Sequence, residues 1–522
     1  MNVAEVILAG GQDSAVAVLH RDTALTYGQL RGAVARLAGG LLARGHRKGD
    51  RVGILSENNP FFVRAYLGVI RAGLVAVPLQ TDLTAEAFAR IISDAGINEM
   101  FVSNRMLGRM RPWAHPVGLT FLPESQEEEF MGHPLSGPAA ATGAGNLAAL
   151  MFTSGSTGSP KGVMITHRNI ECNSRDIIAF LGLSSTDRVM VVLPFHYCFG
   201  LSLLHTHLMA GGSVVLNNEF RLFPESVLVE IQEQECTGLA GVPSTYQILL
   251  RNSRFRQMTF PKLRLFQQAG GKLPNPCIRE ILDAFPTTRF FLMYGQTEAT
   301  ARLSYLPPAR LAGKLGSVGK GLPSTRLEVL GADGAPVAPG SDEIGEIVAS
   351  GDNIALGYWN DPVETAKFFR NGRLHTGDLA RVDADGFVFI VEREREMIKS
   401  GGNRVSAKEV EDVIAEIPEI IEVAVVGAPH ELLGEAINAV VVPMRGASIT
   451  PEDVLAHCRK RLPASKTPEE IIFVGDLPHS SSGKIQKSRL KEMLGRRQLS
   501  PCPRDGWPPS KRPPTSFQRC LV

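Results

Sequence analysis

The chain has 522 residues, a hydrophobic fraction of 44%, a charged fraction of 21% and a formal net charge of +2. That length predicts two or three domains, and so small a net charge leaves no footprint for nucleic acid or an anionic membrane. The seven cysteines form no CxxC pair and read as reduced thiols of a cytoplasmic protein; neither a signal peptide nor an apolar run of membrane-spanning length is legible.

Taken in order, Leu30, Val34, Leu37 and Leu41 recur at helical spacing between Thr26 and Gly45, and a short strand over 52–55 follows. A helix over about 60–72 then leads through Gly73 to a strand over 74–79. Residues 124–146, acidic and then rich in Ala, Gly and Pro, predict an exposed connector. A buried strand over 147–152 runs into a Gly/Ser/Thr-rich stretch, and residues 166–169 open another helix. Strands are expected at 189–194, 213–216, 238–242, 263–269 and 290–293, with a helix over 201–209. This alternation predicts a large layered α/β N-terminal domain with a mostly parallel sheet. Glycines and short alternating runs from 316 to 390, among them 325–330 and 343–350, predict a β-rich subdomain within it.

Past the charge run at 392–396 the pattern changes. Ser406 and Glu409 make a capping box for a helix whose face carries Val410, Val413, Ile414 and Ile417. Strands over 423–427, 439–442 and 471–474, with a helix from Thr450-Pro451 to about Leu462, complete a small mobile α+β C-terminal domain. The expected division is 1–392, a hinge at 393–396, 397–498, and a disordered Pro-rich basic tail over 499–522.

The stretch Thr153-Ser154-Gly155-Ser156-Thr157-Gly158-Ser159-Pro160-Lys161-Gly162-Val163 is the most informative in the chain. Glycines let the backbone approach a ligand, while N–H groups, hydroxyls and a lysine suit phosphate oxygens. A flexible linker has the same composition, but it has no need of the Pro-Lys-Gly or of the apolar strand in front. Lys161 is followed by glycine, which argues against a Walker P-loop. The segment resembles the phosphate loop of the AMP-forming adenylate-forming superfamily, which includes the acyl-CoA synthetases, and the matching later motifs occur in the expected order.

The resemblance implies roles for particular residues. Thr153, Ser154, Gly155, Ser156, Thr157, Gly158 and Lys161 would cradle the ATP phosphates, and Thr153 is a second candidate beside Glu298 for holding magnesium. Ala269-Gly270-Gly271-Lys272 resembles the adenine-binding turn, with Lys272 standing where alanine is usual. In Tyr294-Gly295-Gln296-Thr297-Glu298, Tyr294 would stack on adenine, Thr297 would bind the α-phosphate and Glu298 would ligate the metal. Asp378, within His375-Thr-Gly-Asp-Leu379, resembles the ribose clamp, assisted by Arg393; a carboxylate accepts from two vicinal hydroxyls at once. Arg395 occupies the hinge pivot, and Lys399, Gly401 and Gly402 match the segment that faces the thiol acceptor. Lys484, in Ser482-Gly-Lys-Ile485, would offset charge on the transferring phosphoryl group.

His196 falls at the family's gate beside the acyl site, with Tyr197, Val242, Ala269 and Gly270 as further candidates for that pocket. Amino-acid-activating members carry an aspartate at this place, and Phe195-His196-Tyr197-Cys198 offers no acid. A satisfied core histidine remains the other reading of His196. The resemblance thus implies an AMP-forming acid–thiol ligase using ATP, Mg2+ and coenzyme A, acting on a small carboxylic acid that is not an α-amino acid. A phosphopantetheine on an acyl or peptidyl carrier protein is the alternative acceptor, and a non-catalytic nucleotide-binding relative is the alternative of another class.

Overall fold

A computed structural model describes residues 1–114, 118–134, 142–143, 145–154, 160–393, 397–401, 403–430, 433–444, 446–480 and 483–495. It resolves into two compact units, Met1–Glu394 with Ser481–Lys484, and Arg395–Ser480 with Ile485–Val522.

Two sheets build most of the larger unit. One has six strands in the spatial order Thr120–Pro123, Glu99–Val102, Arg51–Leu55, Val75–Pro78, Leu147–Ser154 and Pro160–Thr166. All its pairings are parallel except the last. The other has nine strands, with Arg289–Tyr294, Leu265–Gln268, Gly238–Gly241, Arg188–Val191 and Ser213–Leu216 at its parallel centre. Apolar side chains of both sheets share one core with the helices Pro60–Arg71 and Cys198–Met209. The second of these helices is buried on nearly every face, as its almost uninterrupted apolar sequence requires. An antiparallel sheet comprising Thr325–Leu330, Gly345–Gly351, Phe369–Arg370, Arg373–Val382 and Val388–Arg393 is the expected β-rich part.

Local chemistry sets the helix starts. Asn59 caps Pro60–Arg71 by accepting from the Phe62 N–H at 2.8 Å, with proline at the first position, where its missing N–H costs nothing. Thr26 with Gln29, and Thr166 with Asn169, form reciprocal capping boxes.

Several expectations are corrected. An unexpected strand, Pro160–Thr166, follows the glycine-rich stretch and pairs antiparallel with Leu147–Ser154, and the helix expected to open at 166–169 then runs over His167–Leu181. The N-terminal pair Val16–His20 and Thr23–Thr26, unmarked by any long alternation, joins the nine-stranded sheet through Ser213–Leu216. The 124–146 connector contains a helical turn, Glu127–Phe130, held by Arg64 Nε donating to Glu127 Oε1 at 2.6 Å and by Phe130 against Phe101. The strand expected over 189–194 stops at Val191.

In the smaller unit, Ile420–His430 and Gly434–Pro443 form a long antiparallel pair, extended by Glu470–Phe473 in parallel. The helix Ala407–Ile414 packs its apolar face on them, and Pro451–Arg461 adds Val454 and Cys458 to the same core. Ser406 Oγ accepts from the Glu409 N–H at 3.1 Å, while the Glu409 carboxylate takes Lys466 Nζ at 2.8 and 2.7 Å. The Ser406 half of the expected capping box is thus in place, and Lys466 engages the Glu409 carboxylate. The proline-rich tail lies outside the described residues.

Candidate active site

Strands of an open α/β sheet present their carboxyl ends to ligands, and most of the sequence candidates fall there. Tyr294 ends the strand Arg289–Tyr294, and its hydroxyl donates to Asp378 Oδ2 at 2.5 Å. Both groups are buried, and they join segments separated by 84 positions. Gly295 lets the chain turn here, because a Cβ would stand 2.0 Å from the Ala301 carbonyl oxygen. Thr297 Oγ1 donates to Cys198 Sγ at 3.4 Å, and Glu298 Oε1 accepts from the Tyr358 hydroxyl at 2.8 Å. The Gln296 Nε2 is buried with no hydrogen-bond partner among the described residues.

Asp378 lies on Arg373–Val382, in register with Arg393 on the neighbouring strand; the side chain of Arg393 lies outside the described residues. The approach to Asp378 is shaped by Glu346, which accepts from the Gly377 N–H at 3.0 Å and lies 2.8 Å from His375 Nδ1.

The turn after Leu265–Gln268 is tied by Gln268 Nε2, which donates to the carbonyls of Ala269 at 3.2 Å and Gly271 at 2.8 Å. Gly270 has φ +85°, and a Cβ there would lie 2.7 Å from the Tyr197 hydroxyl and 3.0 Å from Val242 Cγ1. Ala269 and Val242 are buried beside it. Lys272, next in the turn, has its Cε 3.8 Å from where a Gly316 Cβ would stand. The segment 481–484 belongs to the larger unit: the Gly483 carbonyl accepts from Ser244 Oγ at 2.9 Å, and Lys484 Nζ sits 4.9 Å from the Tyr197 ring centroid. Tyr197, Val242, Gly270 and Lys484 therefore meet at one place.

His196 is buried, and that burial holds its pKa down at about 4 against the opposing field of Asp82. The imidazole is neutral at pH 7.

Thr153 pairs with Lys161 across the antiparallel strands Leu147–Ser154 and Pro160–Thr166. Gly155, Ser156, Thr157 and Gly158 lie outside the described residues, as does the side chain of Ser154. Lys161 forms an ion pair with Glu364 and lies 5.5 Å from the Tyr358 ring centroid. The Glu364 pKa is lowered by Lys161 first and Lys367 second. In this structure the lysine read as a phosphate cation is thus engaged by a carboxylate from Pro362–Phe368.

With these positions known, comparison with known proteins is decisive. The family model described as AMP-binding enzyme matches residues 8–359, and its C-terminal-domain model matches 409–484. The chain belongs to the AMP-binding enzyme family. It is 36% identical to a feruloyl-CoA synthase of Amycolatopsis sp over 483 residues, covering 92% of this chain and 96% of that one. Among solved structures it resembles ATP-bound MatB from Rhodopseudomonas palustris, with TM-score 0.84 and 31% identity over 95% of this chain and 99% of that one. It also resembles the anthranilate CoA ligase AuaEII in complex with anthranoyl-AMP, with TM-score 0.88 and 25% identity over 95% and 98%.

For an AMP-binding enzyme the remaining candidates divide as follows. Lys399 lies on Ile398–Ser400, where its N–H donates to Glu435 Oε2 at 2.8 Å. Gly401, at φ +55°, donates its N–H to the Leu433 carbonyl at 2.9 Å. Arg395 and Gly402 lie outside the described residues. Sequence reasoning passed over Tyr358 and Glu364, which hold Glu298 and Lys161. The aromatic pair Tyr358-Trp359 after Gly357 was the signal available for the first. No helix of the described residues is long and apolar enough to cross a membrane.

Proposed function

We propose that the protein is an AMP-forming acid–coenzyme A ligase. A substrate carboxylate attacks the α-phosphorus of ATP, giving acyl-adenylate and releasing pyrophosphate. The thiol of coenzyme A then attacks the acyl carbonyl, loses its proton to solvent or buffer, and displaces AMP. The observation that carries this reading is the joining of Tyr294 to Asp378 and of Glu298 to Tyr358 around the carboxyl end of one strand. A tyrosine ring and a buried carboxylate side by side suit a nucleoside, the ring by stacking and the carboxylate by accepting from ribose hydroxyls.

Lys484 supplies the cation for the reacting carboxylate and α-phosphate, Thr297 donates to the latter, and the turn at Gly270 leaves room for the acyl carbonyl. Glu298 offers hard carboxylate oxygens of the kind that holds Mg2+ through water and phosphate, and bound magnesium would neutralise phosphate charge. Neutral His196 walls the acyl site without adding charge. The Phe195–Cys198 run supplies no carboxylate to pair with an ammonium, so an α-amino acid would bury an uncompensated charge.

Pyrophosphate release measured with ATP and a panel of carboxylic acids, with and without coenzyme A, tests the reading. Turnover that depends on an acid and rises with coenzyme A is expected. Adenylate formation indifferent to coenzyme A would move the acceptor to a carrier-protein phosphopantetheine, and nucleotide binding with no turnover on any acid would replace the ligase with a non-catalytic relative.

A further inference from the structure

Arg302 carries a charge that adenylation does not use. It follows the Tyr294–Glu298 segment, is 1% exposed, and heads the largest fully buried side chains. Its guanidinium carbon lies 3.9 Å from the Phe199 ring centroid, its Nε is 3.3 Å from Met293 Sδ, and its Nη2 has no hydrogen-bond partner among the described residues. Among the described residues no carboxylate pairs with it. Burial brings its pKa down to about 10, so the group stays charged at neutral pH.

The placement is built rather than incidental. The Arg302 N–H donates to Asn173 Oδ1 at 3.2 Å, and its carbonyl accepts from Asn173 Nδ2 at 2.8 Å and Asn353 Nδ2 at 3.0 Å. A buried cation without a counter-ion is costly, and a ring face and a thioether sulfur offset only part of that cost.

A second orphan faces the same way. Gln267 is wholly buried, and among the described residues neither its Oε1 nor its Nε2 has a hydrogen-bond partner. Alternation along Leu265–Gln268 puts Gln267 on the face of Leu265 and Ala269, and its register partner is Phe291. Met293, against which Arg302 Nε rests, lies two residues beyond Phe291, so Gln267 and the Arg302 contact share the sheet face that carries Ala269 of the acyl turn. The Tyr197 and Phe199 rings meet edge-on at 6.4 Å, with Lys484 against the first and Arg302 against the second. Two cations thus bracket one aromatic pair.

We propose that the acid activated here is a dicarboxylate, with one carboxylate reacting beside Lys484 and the second, at the far end, held by Arg302 with Gln267 as a neutral hydrogen-bonding partner. This rests on the ligase reading and specifies its substrate class. A methyl-terminated acid would leave the guanidinium without a counter-ion in an apolar enclosure, whereas a carboxylate of matching reach would pair with it.

The test uses the full chain, ATP and coenzyme A with matched acid pairs of equal length, one member ending in methyl and the other in carboxylate, in an aliphatic and an aromatic series. At the best-fitting length the carboxylate-ended acid is expected to lead by about 100-fold or more in kcat/KM, the scale on which sites built for a polar group reject its absence. Arg302→Met is expected to invert that preference through KM for the acid, and Arg302→Lys to retain part of it. Should the variants fail to fold, the wild-type comparison decides alone. A methyl-ended preference at every length overturns the proposal and leaves the ligase reading standing; silence with every acid removes both.

Discussion

Tyr294 and Asp378 show how much one hydrogen bond can organise. The carboxylate is buried, and the tyrosine hydroxyl is a donor that fixes one of its oxygens. Tyr294→Phe is expected to raise KM for ATP about 10-fold or more, since a hydrogen bond to a charged group contributes about 1.5–3 kcal/mol; an unchanged KM would remove this pair from nucleotide binding. Lys484→Ala is expected to slow pyrophosphate release about 100-fold or more, with a smaller effect when synthetic acyl-adenylate is supplied with coenzyme A. Equal losses in both assays would mean that the lysine serves the fold or both steps alike. At this scale the sequence was most legible where chemistry needs a rare residue in a fixed run, as in Tyr294–Glu298. It was least legible at Tyr358 and Arg302, whose roles depend on what folds against them.

At the scale of elements, turns decide the site. Gly270 combines φ +85° with a contact that leaves no room for a Cβ beside the Tyr197 hydroxyl. Gly270→Ala is expected to cost about 1–2 kcal/mol of stability from the left-handed backbone alone. It is also expected to raise KM for the acid as Tyr197 is displaced; urea titration and acid kinetics check the two effects separately. The strand Pro160–Thr166 escaped prediction because its residues Pro-Lys-Gly-Val-Met-Ile-Thr look like the tail of a loop, and only pairing with Leu147–Ser154 makes them a strand. Val16–His20 was missed for a related reason: a five-residue strand has little periodicity, and its partner Ser213–Leu216 is remote in sequence.

For the whole molecule, each hydrophobic cluster of described residues is confined to one of the two units. Two calorimetric transitions are therefore expected, the smaller from the Arg395–Ser480 unit; a single cooperative transition would show that the units unfold together. Four histidines of the larger unit add a pH dependence. Burial holds His167, His196 and His207 at about 4 and His205 at about 3, below the ordinary 6.5. The unfolded chain binds these protons first, so stability is full above pH 6.5 and falls as pH drops toward 4. Each histidine steepens that fall by at most about 1.4 kcal/mol per pH unit. Urea unfolding at pH 7.5 and 5.5 measures it, and a flat profile would mean that these imidazoles take up protons while the chain stays folded.

The sequence by itself determined the family and the two-part organisation of elements, and it nominated the candidate residues that the fold gathers at Tyr294–Glu298 and Gly270, because local spacing and rare residue runs are properties of the chain. Tertiary structure alone decided the pairing of Lys161 with Glu364, the bond between Tyr294 and Asp378, and the burial of Arg302 against Phe199 and Met293 with no carboxylate partner among the described residues. Those facts depend on which distant groups meet where water is excluded. In that setting an unpaired charge becomes costly, and so points to a partner.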